Sequence, residues 1–149
     1  MKFTTKLIAC LLLVGFLMGC GNQYSPDSKS KTFKLKNVSL ITLYGPSNYT
    51  SEGISVDIAP GIGTYTTLLE LVTGERLTEC PTDNFGPAHI LYTINSEETV
   101  KVYPATDGSN YVCLYSLNLS LAQYLELPAD SMKQIIGIME ANGIEVLLN

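Results

Sequence analysis

Cys80 and Cys113 stand 33 positions apart. Two thiols can close a disulfide, ligate a soft metal or act as nucleophiles. With only one histidine in the chain, His89, they fall short of the four paired ligands of a structural zinc site, and no metal site is expected. Two readings stay open for the pair: a Cys80–Cys113 disulfide, or two free thiols with Cys113 packed as a small apolar group in a strand. His89 is the one imidazole available as a general base. A hydrolase would need it beside a serine or cysteine and oriented by an acid. No local sequence supplies that set, so no catalytic residue is assigned. Gly61 and Gly63 precede a helical stretch whose N–H groups can hold an anion, but both phosphate-loop and dinucleotide glycine patterns are missing. A tight strand-to-helix turn explains them. Asp107-Gly108-Ser109-Asn110 offers oxygens without the spaced acids and final Glu of a calcium loop, and reads as a hairpin turn. No cofactor motif is present and no cofactor is expected.

A further thiol, Cys20, has a different setting. Lys2 and Lys6 carry the only charges before it, and Leu7–Met18 form an apolar run of twelve residues. A basic start and a run of that length follow the plan of a secretory signal peptide, and a bilayer-spanning helix needs about 20 residues. The run ends Leu17-Met18-Gly19-Cys20. This resembles the lipobox of bacterial lipoproteins: an aliphatic residue, two permissive residues of which the last is small, then cysteine. The resemblance covers residues 1–20 and implies three things. Residues 1–19 are a cleaved signal peptide, Cys20 receives a diacylglyceryl group, and Cys20 becomes the first residue of the mature chain. It also implies a membrane partner through the lipidated Cys20. Because Gly21 rather than Asp follows, the expected place is the outer membrane of a Gram-negative envelope or the outer face of a Gram-positive membrane.

Residues 20–32 read as lipid anchor and tether. Gly21–Lys31 is built from polar residues with one Pro and one aromatic, and has no apolar face to bury. Such a segment reaches roughly 15–20 Å. Residues 33–149 are expected to form one domain.

Charge narrows the partners. From Asn37 onward, Arg76, Lys101 and Lys133 oppose thirteen acidic residues, while lysines gather near the tether. Nucleic-acid binding draws its affinity from Lys and Arg on phosphates, so no nucleic-acid partner is expected. A basic protein or peptide fits this charge, as does simple solubility.

The periodicities give the framework. "TFKLKNVSLITLY" and "GISVDIA" alternate as strands and suit a hairpin. Tyr65, Leu68, Leu69 and Val72 then follow helical spacing, with Thr64 as the expected N-cap and Gly74 as the residue after the helix. "ERLTECPTDNFGPA" reads as a connection. "HILYTIN", "TVKVYP" and "NYVCLYSLNL" make a three-stranded meander with turns at Glu97-Glu98 and Asp107–Asn110. "SLAQYLELP" fits either a short helix or a continued strand. Met132, Ile135, Ile136 and Met139 mark a helix with Ser131 and Gln134 as capping box and Asn142-Gly143 at its end, and "IEVLL" suits a last short strand. The expected fold is α+β: a mainly antiparallel sheet of about five strands with two or three helices packed on one face.

Tyr111, Cys113 and Tyr115 share one strand face, with Val112 and Leu114 on the other; Tyr103 opposes Val100 and Val102 in phase. If the Val and Leu face meets the helices, Tyr103, Tyr111 and Tyr115 look outward. Rigid amphipathic rings there suit recognition of a protein or glycan, or simply cover the second face. The expected function is a membrane-anchored, extracytoplasmic, non-enzymatic lipoprotein domain binding a protein, peptide or envelope component. The alternatives are an acidic inhibitor or immunity-type lipoprotein, and a hydrolase using His89.

Overall fold

The computed structural model of the protein describes residues 32–47, 53–95, 98–116 and 122–148. The leader, Cys20, most of the tether, Asn48, Glu97 and the Leu117–Leu121 part of the ambiguous stretch lie outside the described residues.

Among the described residues, eight strands and two helices follow in the order β1 (Thr32–Lys34), β2 (Val38–Pro46), β3 (Gly53–Ile58), α1 (Gly63–Leu71), β4 (Thr73–Leu77), β5 (His89–Ile94), β6 (Glu98–Pro104), β7 (Tyr111–Ser116), β8 (Gln123–Glu126) and α2 (Ala129–Ala141). They build one sheet, β1-β4-β8-β7-β6-β5-β2-β3, in which every neighbour pair is antiparallel. The α+β class and the antiparallel sheet are therefore as expected.

The expected number of strands, about five, is corrected to eight. "TFKLKNVSLITLY" divides into β1 and β2 because Asn37 takes a left-handed φ of 57°. Asparagine tolerates that region where most residues do not. Gly74, expected just after a helix, lies inside β4, where its missing side chain lets the chain approach β8. Gln123–Glu126 resolves as a strand, since Leu125 has a core place to fill. "IEVLL" makes no strand: Ile144 forms a single bridge to Ser47. The helix starts also differ. Ile62 and Pro128 occupy the N-cap positions and neither supplies a side-chain cap. Proline fits the α2 start because its missing N–H costs nothing there. At the other end of α2, Asn142 is the C-cap and Gly143 has φ 81°, as the Asn-Gly pair suggested.

The connection from β1 to β2 dictates the shape. Six antiparallel steps separate them, so they run in the same direction. In a flat sheet they would stand about 29 Å apart, at about 4.8 Å per step. Four chain steps from Lys34 to Val38 span at most about 14 Å. The sheet must therefore curl until its ends approach, with residues 32–46 as one bent strand that joins them. Its first part pairs with β4 and its later part with β3 and β5. At the register shift between Val38 and Leu40 in the β2–β5 ladder, the Val38 carbonyl accepts a hydrogen bond from the Tyr65 hydroxyl at 2.5 Å. The part-buried carbonyl at this irregularity is thereby satisfied by α1.

The concave side holds the core. Ile41, Leu43, Ile90, Tyr92, Val102, Val112, Leu114 and Leu125 face Leu68 and Val72, at and just past the end of α1, and Met132, Ile135 and Met139 of α2 in one cluster. The Tyr92 hydroxyl, fully buried, donates to the Leu68 carbonyl at 3.0 Å and ties sheet to helix. Burial also pushes the Tyr92 phenol far above its ordinary range. Each fully buried Leu, Ile or Met here contributes roughly 1.5–3 kcal/mol. The convex side carries the opposite strand phase.

Candidate functional site

The convex face has a cross-strand row of rings because alternate residues of adjoining strands share it. Tyr44 of β2 lies opposite His89 of β5, Tyr103 of β6 opposite Cys113 of β7, and Cys113 opposite Tyr124 of β8. The Tyr44 and His89 rings stack with centroids 5.2 Å apart and planes 9° apart. His89 and Tyr103 follow at 4.8 Å and 32°. Each such pair adds about 0.5–1.5 kcal/mol beyond its area. A second row runs Asp57, Thr42, Leu91, Lys101, Tyr115. Thr42 donates to the Asp57 carboxylate at 2.8 Å. Tyr115 is 45% exposed, the most open tyrosine among the described residues. Tyr111 completes the face opposite Glu126.

The structure thus places Tyr103, Tyr111 and Tyr115 on one surface, opposite in phase to the buried Val100, Val102, Val112 and Leu114. Tyr44, His89 and Tyr124 join them and were not singled out as part of that face. The alternation signal was present at Tyr44 and His89, but placing them beside Tyr103 requires a register that no local pattern encodes.

Residues 78–88 form a strap over one end of this face. They connect β4 to β5, four places away in the sheet, a distance of about 19 Å at the usual strand spacing. The strap is fastened to the turn after β6. Thr106 donates to the Asn84 carbonyl from its N–H at 2.8 Å and its hydroxyl at 3.1 Å. Thr82 donates to the Asp107 carboxylate at 2.7 Å. Ser109 donates to the other Asp107 oxygen from hydroxyl and N–H. The Ser109 and Thr82 hydroxyls hold the Asp107 carboxyl far below its usual range. The acid of the expected turn is therefore committed to fastening the strap. Under the strap, the Phe85 and Tyr124 rings lie 6.0 Å apart.

Cys80 and Cys113 are separate thiols, Cys80 exposed and Cys113 half-buried. Burial, then the charge of Cys80, raises the Cys113 thiol. The neighbouring Cys80 thiol, then burial, pushes the Tyr124 phenol up to about 12. Burial, followed by Cys113 and Tyr115, also raises Tyr103.

His89 has the surroundings of a packing group. Its Nδ1–H donates to the Pro87 carbonyl at 3.0 Å, and its ring is sandwiched between two tyrosines. Among the described residues no hydrogen bond joins it to a hydroxyl, thiol or carboxylate, so a base–nucleophile pair is not assembled there. Burial, and to a smaller extent Lys101, lowers its pKa despite the opposing Pro87 bond. The unfolded chain takes up this proton first as pH falls, so the contribution is complete above the ordinary value of 6.5 and is lost below it. Urea midpoints should fall between about pH 7.5 and about pH 5.5, and His89→Phe should flatten that part of the curve. An unchanged slope in the variant would contradict this role. Asp107 acts in a separate window, below its ordinary 3.8.

Gly61 has φ 90° in the turn before α1, and Gly63 opens the helix. Among the described residues no group of three or more His, Cys, Asp or Glu side chains is arranged to hold a metal. No described helix is long and apolar enough to cross a membrane. Comparison with protein-family models, curated proteins and solved structures finds no match to this chain.

Proposed function

We propose that the protein is an extracytoplasmic lipoprotein, anchored through Cys20, whose convex aromatic face binds a protein, peptide or envelope component without catalysing a reaction. One observation carries the binding reading: the Tyr44–His89–Tyr103 stack, continued by Tyr115 and Tyr111, lies on the sheet face opposite the two described helices. Rings held by packing lose little entropy on binding, which is why tyrosines are effective contact residues.

Charge favours a cationic partner. Asp57, Glu75, Asp83, Asp107 and Glu126 lie on or beside this surface, and Lys101 is its one central cation. This supports the second reading, an acidic inhibitor or immunity-type lipoprotein that covers a basic protein. Complementary charge speeds association and is screened by salt. The hydrolase reading lacks support from the surroundings of His89. Site-specific photo-crosslinking from Tyr115 in the native envelope tests the proposed face. A partner captured there but not from the α2 side supports it; indistinguishable capture from both sides overturns it.

A further inference from the structure

The strap brings two distant cysteines to one patch. Cys80 lies between the end of β4 and the first fastening point of the strap at Thr82. Its thiol donates to the Thr82 carbonyl at 3.1 Å and lies 3.8 Å from an Asp83 carboxylate oxygen. Leu77, three positions before it, is the cross-strand partner of Tyr124 on the β4 side. Tyr124 is the direct cross-strand partner of Cys113 on the same face. Opposed residues of antiparallel strands have Cα atoms about 4.5–5.5 Å apart. Cys80 is therefore three residues past a position two strands, about 10 Å, from Cys113.

We propose that Cys80 and Cys113 are a redox pair whose disulfide fastens the strap to the convex face. Closure needs Cys80 Sγ to exchange its Thr82 contact for Cys113 Sγ. No β-ladder bond has to break, because Cys80 lies outside the strands. The oxidant is a small disulfide such as oxidised glutathione. The exposed Cys80, as thiolate, attacks one oxidant sulfur, forming a mixed disulfide and expelling one glutathione thiolate. Cys113 then loses its proton and attacks Cys80 Sγ, expelling the second. Two protein thiols give up two protons and two electrons, and one oxidant disulfide becomes two thiols. The closed form has a strap pinned at Cys80 as well as at Thr82 and Asn84. This inference is independent of what the aromatic face binds.

The sequence makes the test clean. After Arg76 the next basic residues are Lys101 and Lys133, so trypsin places Cys80 in peptide 77–101 and Cys113 in peptide 102–133, each with one cysteine. The full chain, extracted in mild detergent and kept folded, is treated with oxidised glutathione, blocked with iodoacetamide and digested. The expected product is peptide 77–101 joined to 102–133, with alkylation of both falling at least about tenfold and returning after reduction. Cys113→Ser should stop at a glutathione adduct on Cys80, showing that Cys113 resolves it. Wild type that remains alkylated at both sites, stops at the same adduct as the variant, or links chain to chain overturns the proposal.

Discussion

Cys20→Ala is expected to abolish fatty-acid incorporation and release the protein from the membrane. The sulfur is the only group at that position able to accept a diacylglyceryl chain, and alanine removes it while leaving the apolar leader intact. Each buried methylene contributes about 0.8 kcal/mol, so two or three chains on one residue hold a protein at a bilayer where a single chain does so only marginally. The effect should be all or none. Metabolic labelling with a fatty acid, followed by membrane fractionation, reads it directly. Cys10→Ala is the matched control and should label as the wild type does, because Cys10 lies inside the apolar run. Equal labelling of Cys20→Ala would overturn the anchor.

Gly74→Val is expected to have the largest effect on folding. A Cβ at this position would collide with the Glu126 carbonyl oxygen and stand 2.9 Å from Leu127 Cδ2. The obstruction is backbone, so no rotamer change relieves it. Residue 74 belongs to β4, which pairs with β1 on one side and β8 on the other. Moving β4 away from β8 would detach β1 and β4 from the rest of the sheet, and leave ladder groups unpaired at about 1–3 kcal/mol each. We expect a loss of about 3 kcal/mol or more, a large share of the roughly 5–15 kcal/mol that keeps a domain folded. Urea unfolding followed by far-UV circular dichroism measures it. A valine variant within about 0.5 kcal/mol of wild type would show that β4 is not held against β8 as described.

Much of the framework was legible because it depends on local periodicity. The β2–β3 hairpin, the β5–β6–β7 order and the apolar stripe of α2 all follow from alternation or helical spacing. The opposed phases of Val112 and Tyr111 were readable for the same reason. What escaped is what depends on distant parts of the chain. Gly74 looks like a helix end, yet its partner backbone is more than fifty residues away at Glu126. β8 is short, and only its pairing with β4 and β7 makes it a strand. The strap looked like a plain connection, because its crossing of the convex face follows from β4 and β5 being four strands apart. For that reason Cys80, Phe85 and Tyr124 could not be brought together from sequence, while the candidate pairing of Cys80 with Cys113 could only be posed as a question of counting.

The convex aromatic face is proposed to be the surface that meets a partner. A photo-crosslinking residue placed at Tyr115 in the full, membrane-attached protein tests it most directly, with the same residue at the exposed Lys133 of α2 as control. The expected result is a discrete adduct from position 115 that is absent from 133. Adding Tyr103→Ala should weaken that adduct about fivefold to thirtyfold, the effect of removing one contact worth about 1–2 kcal/mol, in a variant shown by circular dichroism to remain folded. The same adducts from both positions, or an adduct at 115 that Tyr103→Ala leaves unchanged, would contradict the assignment of this face.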